Sequence, residues 1–368
     1  MEAQKKPGPA MLARRTFLSL AAAMAATAAF GQAAGNQREV LTRIAFGSCA
    51  NQEREQPIWD AVRSYRPELF LFVGDNVYGD FNNGAAVTDE GRMMETLRDA
   101  YARAAAIPGF SRLRAEVPHL ATWDDHDYGK NDAGVEFIHK VEAQRQFVDF
   151  WQLQPDDPRR TRPGVFHAQV FGPPGKRVQV ILLDTRYFRS PLKPTDQRNA
   201  PGRERYVPDD ATDKTMLGEA QWAWLEQQLR LPADLRLVVS SIQVVADGHG
   251  WERWGNFPRE RQKLYDLIRA TDARRVIFLS GDRHIGGIYR ETVGTPYPLH
   301  DITSSGLTQF FSNVREDGPN RLGAPYGAVN FGTIDIDWWD SVVTLSLRNL
   351  IGERVRSVAL RLSELQAS

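Results

Sequence analysis

Six short runs of this chain, 43–47, 69–73, 118–122, 178–183, 236–245 and 275–280, are apolar along their whole length rather than at every second position. A strand that is apolar at each residue has two faces to bury, so runs of this kind require a sheet covered on both sides. The segments between them supply the cover. Ile58, Ala61, Val62 and Tyr65 recur at helical spacing within 57–65, and 93–106, 137–151 and 219–229 are further helix candidates. Trp222, Leu225 and Leu229 share one face of the last and read as core. Toward the C-terminus the period changes. Residues 333–339, 342–348 and 355–362 alternate in polarity and read as a meander, with turns at Trp339-Asp340-Ser341 and Ile351-Gly352-Glu353. The expected architecture is a layered α/β sandwich whose meander finishes one sheet.

At 368 residues the chain can bury a substantial core. Its 46 Lys and Arg balance 46 Asp and Glu, so no basic excess points to nucleic acid. One cysteine excludes an intramolecular disulfide. Residues 1–35 read as a targeting signal, with 36–368 as the folded domain. Lys5 and Lys6 open a basic stretch, Arg14-Arg15-Thr16-Phe17-Leu18 supplies twin arginines, and Phe17 to Phe30 is an alanine-rich apolar run too short to span a bilayer well. The pattern is that of a bacterial twin-arginine export signal, which implies the twin-arginine machinery as a partner and a periplasmic or secreted product. Removing 1–34 takes away four bases and one acid, leaving 42 against 45. No later stretch is apolar enough for a membrane span.

The apolar runs share an ending. Arg43-Ile-Ala-Phe-Gly-Ser-Cys49, Glu68-Leu-Phe-Leu-Phe-Val-Gly-Asp75-Asn-Val-Tyr78, His119-Leu-Ala-Thr-Trp-Asp124-Asp125-His126-Asp127 and Ile277-Phe-Leu-Ser-Gly-Asp282-Arg-His284 each close in groups able to bind a metal. Loops at the carboxyl ends of strands are where α/β folds place ligands. Asp75, Asp125, Asp282 and Asn131 offer hard oxygen, while Cys49 and His284 suit borderline transition metals. Tyr78 could add a phenolate, which favours a trivalent ion. Such a mixture points to one redox-capable or Lewis-acidic metal, iron first, with a second, harder cation beside it. Taken singly, each residue has a plainer reading: Cys49 as a small hydrophobe, Asp75 and Asp282 as caps or turn residues, His126 as a paired surface histidine. His249, flanked by glycines, is a candidate for substrate contact. His139, His167 and His300 read as structural, with His300-Asp301 ahead of a strand. Loops 190–215 and 312–327, rich in Pro, Gly, Asn and charge, are expected to flank the site.

Gly47-Ser48-Cys49, Gly74-Asp75-Asn-Val-Tyr78, Trp123-Asp124-Asp125-His126, Leu183-Asp184-Thr-Arg186 and Gly281-Asp282-Arg-His284, in this order, resemble the alkaline phosphatase D family of calcineurin-like metallophosphatases. Leu217-Gly218-Glu-Ala-Gln221-Trp222 and Ser304-Ser305-Gly306 are similar to its connecting signatures, and the resemblance covers roughly 42–350. It implies a four-layer α/β/β/α metallophosphatase sandwich with ferric iron (Fe3+) and calcium. Cys49, Asp75 and Tyr78 would hold iron, Asp75 would bridge to the second metal, and Asp282 and His284 would complete the centre. Which of Asp124, Asp125 and Asn131 binds the second metal stays open. His126 would protonate the leaving group, with Asp124 beside it, and Arg186 would clamp the phosphoryl oxygens; an arginine bonded to a loop carboxylate is the alternative for Arg186. Only about ten residues separate the signal from Gly-Ser-Cys, and the chain stops soon after the meander, so neither the family's extra N-terminal β-sandwich nor much C-terminal cover is expected.

The function so implied is an exported metal-dependent phosphoesterase acting on small phosphate monoesters, diesters or both by attack of metal-bound hydroxide. Two alternatives stand: a phospholipase-D-like diesterase, whose mark would be an aromatic surface at Trp251 and Trp254, and a non-catalytic metal-binding scaffold, whose mark would be a lost ligand.

Overall fold

The computed structural model describes residues 1–2, 39–314 and 318–367. Apart from its first two residues, the segment read as an export signal lies outside them. In chain order the elements are β1 (Arg43–Gly47), α1 (Ile58–Tyr65), β2 (Leu69–Val73), the two-residue strands β3 (Phe81–Asn82) and β4 (Ala85–Ala86), α2 (Glu90–Ala106), α3 (Pro108–Glu116), β5 (His119–Thr122), α4 (Asp125–Tyr128) and α5 (Lys140–Phe150). There follow β6 (His167–Phe171), β7 (Val178–Leu182), α6 (Gly218–Leu229), β8 (Leu235–Val239), α7 (Pro258–Ala270), β9 (Val276–Ser280), β10 (Gly286–Glu291), β11 (Leu299–Ser304), β12 (Asn330–Asp337), β13 (Val342–Asn349) and β14 (Arg354–Arg361).

These strands build two six-stranded sheets, ordered β14-β13-β12-β1-β2-β5 and β10-β11-β9-β8-β7-β6. β1, β2 and β5 run parallel, as do β7, β8, β9 and β11, so their carboxyl ends open on common edges. The meander β12–β14 joins the first sheet antiparallel to β1, as its alternating sequence predicts.

Side-chain alternation explains the layers. Ile44, Phe46, Leu69, Leu71 and Val73 pack with the strands of the second sheet, while Ala45, Phe70, Phe72 and Ala121 point to the opposite face. That outer face is covered by Trp59 of α1, Leu97 of α2, Phe110 of α3 and Phe147 of α5. Trp222 and Leu225 of α6 and Leu264 and Ile268 of α7 pack on the second sheet. Fully burying each such side chain stabilises by about 1.5–3 kcal/mol, and the result is the four-layer α/β/β/α sandwich.

Five of the six apolar runs form strands within a residue or two of their expected ends; the sixth, 236–245, stops being strand at Val239. From Ser240 the chain leaves the sheet, and its polar side chains line up beneath the site. β6, β10 and β11 are additions to the expected set. His300 and Asp301, read as preceding a strand, lie inside β11. Asp301 is buried there because its carboxylate accepts the Val244 and Val245 N–H groups and the Ser280 hydroxyl.

Candidate metal centre

The loops that leave β1, β2, β5 and β9 converge on one point. Four donor residues on them have left-handed backbones: Cys49 (φ 64°), Asp75 (φ 48°), Asp282 (φ 67°) and His284 (φ 55°). Non-glycine residues rarely adopt that region, and strain of this kind gathers at functional sites. The turns require glycine in front of the donors. A Cβ on Gly74 (φ +97°) would sit 2.6 Å from the Asp124 Cβ.

A second carboxylate locks two of these loops together. Asp127 Oδ1 accepts the backbone N–H of Asp75 at 3.2 Å and of Asp124 at 2.5 Å, and its Oδ2 accepts both the backbone and side-chain N–H of Asn76. Asp127 thus fixes the β2 and β5 loops against each other, a role its place in Asp124-Asp-His-Asp127 did not announce.

The donor atoms fall into overlapping groups, each with its atoms within 4.8 Å of one another. One contains Cys49, Asp75 and His284; another contains Asp75, Asp124, Asp125 and Asp282. Asp75 belongs to both, as a bridging ligand must. The Cys49 thiol lies 3.3 Å from Asp75 Oδ2 and 3.1 Å from the Ser305 hydroxyl, which also accepts the His284 backbone N–H. Tyr78 Oη lies 3.0 Å from His284 Nε2, and its ring stacks on His126 with centroids 4.1 Å apart. Asp125 and Asn131 line the cavity above the cluster, together with His126, Asp282 and His284.

The charge of this cluster argues for cations. Burial pushes the Cys49 thiol up to about 12, and burial together with Cys49, Asp125 and Asp124 raises Asp75 well above the usual carboxylate range. Asp282 is raised in the same way by burial, Asp124 and Asp125. Like charges this close cannot all ionise unless positive charge is supplied. Asp124 Oδ2 is buried without a hydrogen-bond partner. A thiol, a phenol, an imidazole and carboxylates directed at one point fit a borderline metal, and the oxygen-rich neighbouring group fits a harder one.

Two residues expected in direct catalytic contact do not line the cavity. Arg186 is fully buried and does not line the cavity. Its Nε donates to Asp124 Oδ1 at 2.7 Å and its Nη1 to Glu252 Oε2 at 2.7 Å. This is the carboxylate-bonded arrangement rather than a free phosphate clamp. Burial opposes the guanidinium charge, but Asp124 and Glu252 outweigh it and hold Arg186 above its ordinary range. The loop carrying it is set by Gln221, which donates to the Asp184 carbonyl and accepts the Asp184 N–H, both at 2.8 Å. Asp124 Oδ1 is taken by Arg186 and by the Ser241 hydroxyl at 2.5 Å, and the residue does not line the cavity although it stays within the carboxylate donor group.

His126 does face the cavity, and its ring is held by a residue that the sequence reading passed over. Its Nδ1 lies 2.6 Å from Asp80 Oδ1, and Asp80 Oδ2 accepts the Asn131 N–H at 2.9 Å. Burial works against the imidazolium, but Asp80 and Asp125 raise His126 to about 10. Asp80 stands five residues after Asp75 in the same Gly-Asp-Asn-Val-Tyr-Gly-Asp run, which is the signal that could have found it. Glu252 and Asp132 were also passed over; with Asp125 they form a further carboxylate group, and Glu252 is tied at the same time to Arg186 and Arg189. His249, a candidate for substrate contact, is buried: its Nδ1 accepts the Trp251 N–H and its Nε2 lies 3.0 Å from Gln243 Oε1, so both ring nitrogens are used.

The chain is similar to known proteins in sequence and in fold. Alkaline phosphatase D of Bacillus subtilis (strain 168) is 22% identical over 283 residues, which cover 66% of this chain and 45% of the relative, so the chain spans under half of that protein's length. A structure of PhoD superposes with a TM-score of 0.68 at 15% identity, covering 88% of this chain and 69% of the other. The fold is shared more widely: a purple acid phosphatase from yellow lupin (Lupinus luteus) seeds gives a TM-score of 0.53 at 12% identity, covering 88% of this chain and 54% of its own. GAP50, described as the anchor in the inner membrane complex of Plasmodium, gives 0.55 at 12% identity over 90% of both chains. The family model for PhoD-like phosphatases matches residues 44–293, a span that begins in β1, ends just past β10 and takes in every loop carrying a donor of the cluster, and the chain belongs to that family.

Proposed function

We propose that the chain is a metal-dependent phosphoesterase that hydrolyses small phosphate monoesters or diesters. The observation that carries this reading is the donor cluster: a thiol, a phenol, an imidazole and four carboxylates directed at one point beneath a cavity of about 290 Å³. Cys49, Asp75, Tyr78 and His284 would hold iron, and Asp75, Asp125 and Asp282, with Asn131 at the cavity wall, would hold calcium. When bound, such cations polarise phosphoryl oxygens and lower the pKa of water from about 16 toward about 7. The protein's own residues do the remaining work. Asp80 fixes the His126 ring so that Nε2 can hand a proton to the departing alkoxide. Arg186 acts at one remove, by bonding Asp124 and Glu252 and holding both carboxylates in place.

The fold alone does not decide for an enzyme, since an anchor protein shares it. The intact donor set favours catalysis over a scaffold, because buried carboxylates kept together without function would only destabilise. The lipid-directed reading loses support: Trp254 is fully buried, and Trp251 lies half-buried between two arginine side chains. The twin-arginine segment supports export to the periplasm or beyond. The test is hydrolysis of a phosphate monoester and a diester by the purified chain before and after chelation. Hydrolysis of either that disappears with the metal supports the proposal; full activity in Asp282→Ala would overturn it.

A further inference from the structure

The cavity is divided by charge. Asp125, Asp132, Glu252 and Asp282 line it, Asp132 accepting the Tyr206 hydroxyl at 2.7 Å, and Arg198, Arg205 and Arg283 line the same space. Arg198 is exposed. Neither Arg198 nor Arg205 is paired with a carboxylate among the described residues; Arg205 Nη1 donates to the neutral Asn199 Oδ1 at 2.7 Å and to the Glu204 carbonyl at 3.2 Å. The carboxylate nearest in sequence, Glu204, is occupied by the backbone N–H groups of Gly202 and Gly250. Two cations therefore face the cavity with no counter-charge of their own.

The wall that carries them is built rather than loose. Arg205 and Tyr206 donate backbone N–H groups to the Gly250 carbonyl at 3.0 and 2.7 Å. A Cβ on Gly250 would meet the Glu204 backbone at 2.5 Å, so the close approach of the two loops depends on that glycine. The His249 clamp on Gln243 and Trp251 holds the second loop from behind. Trp251 then presents its ring to Arg205 and Arg283, whose guanidinium carbons lie 4.9 and 5.3 Å from its centroid. Past Trp251 the space opens into a second pocket of about 460 Å³, shared with Arg283 and lined by Phe310, Phe311 and Glu204, whose carboxylate is held by the Gly202 and Gly250 N–H groups.

We infer that Arg198 and Arg205 form a subsite for a second oxyanion, so that the preferred substrate is a phosphoester whose alcohol portion carries another phosphate or carboxylate across an apolar spacer. This rests on the phosphoesterase reading. With cations on the donor cluster, the scissile phosphate is held at the inner end of the cavity. The distal anion then meets the arginines, and the spacer lies along Trp251 and Phe311. Planar guanidinium groups match phosphate and carboxylate geometry and outlast the loss of hydration better than ammonium groups do.

The experiment compares kcat/KM for alkyl monophosphates and the corresponding α,ω-alkanediol bisphosphates, from butyl to octyl, with the metal-loaded full chain at low salt. The bisphosphate is expected to be preferred about tenfold at one chain length, with the preference shrinking as salt is raised. Arg198→Glu and Arg205→Ala should each reduce the bisphosphate-to-monophosphate ratio, and the charge reversal should bring it to about one or below. Arg198 is exposed, so its variant keeps the fold. A wild-type ratio of about two, which two equivalent scissile ends produce unaided, or a ratio that both variants leave intact, overturns the subsite while the phosphoesterase reading stands. Failure to hydrolyse any monoester of either series overturns the subsite, and the phosphoesterase reading falls with it only if a phosphate diester is left intact as well.

Discussion

Replacing Arg186 by methionine separates a structural role from a substrate contact. The variant keeps the bulk of the side chain but removes the charge that binds Asp124 and Glu252. Glu252 retains Arg189 at 3.0 Å, whereas Asp124 retains only the Ser241 hydroxyl, next to three other carboxylates. Burial pushes the Asp124 carboxyl up to about 8 even beside Arg186, so at pH 9, where it is ionised, stranding its charge in this way costs about 3–5 kcal/mol. With an unfolding entropy of about 2.1 cal/mol/K per residue, that corresponds to a fall in Tm of about 4–7 °C for a chain of this size. Thermal and urea unfolding of chelated protein at pH 9 measure it. Asp124→Asn added to Arg186→Met should recover more than half of the loss, because the stranded charge is gone. A Tm within about 1 °C of wild type, with a large rise in KM, would refute the reasoning and return Arg186 to the substrate.

Asp80→Ala should lower kcat by about 10- to 100-fold with a smaller effect on KM, because the His126 ring loses the carboxylate that orients it; steady-state hydrolysis checks this, and kcat within about twofold counts against it. Gly74→Ala should destabilise by about 2–4 kcal/mol and weaken metal retention, since its φ is +97° and the new Cβ would press on Asp124; urea unfolding and metal analysis read the two effects. Between pH 6.5 and 4, His119 should destabilise the chelated chain, against the opposite contribution of the raised carboxyls of Asp75 and Asp282. Burial lowers His119 from 6.5 to about 4, so in this window the unfolded chain takes up a proton that the folded chain refuses. Stability from this group is complete above pH 6.5 and is lost as pH falls toward 4, by about 3 kcal/mol at about 1.4 kcal/mol per pH unit. His300, lowered by burial to about 4, acts in the same direction. In urea unfolding at stepped pH, the stability of wild type relative to His119→Gln should fall as pH drops from 6.5 to 4, and a difference that does not change with pH counts against it.

Much of the fold was legible because the central strands are apolar on both faces, which few other structures tolerate. β11 escaped because Leu-His-Asp-Ile-Thr-Ser does not look buried, although every residue in it is. Its polar groups are satisfied by partners distant in sequence, such as Val244 and Val245 for Asp301. β6, an antiparallel edge strand with mostly half-buried residues, lacks the continuous apolar run of its neighbours. In the site, the donors at strand ends stood out because their loops announce them: Gly74-Asp75, Gly281-Asp282 and Gly47-Ser48-Cys49. The depth of Arg186 did not, because it is set by Glu252, 66 residues away on a loop with no motif of its own. The same loop brings His249 near the site without exposing it, since Gln243 and Trp251 take both of its ring nitrogens.

Every role proposed for these residues depends on the donor cluster holding metal. Elemental analysis of the purified full chain, with its visible spectrum, tests this most directly when wild type is set beside Cys49→Ala. The expected result is a bound transition metal with an absorption band from thiolate or phenolate ligation, accompanied by a hard cation, with band, transition metal and ester hydrolysis all reduced in the variant. A wild-type protein that hydrolyses esters at full rate after exhaustive removal of metal, or a Cys49→Ala variant with undiminished transition metal and activity, would contradict it.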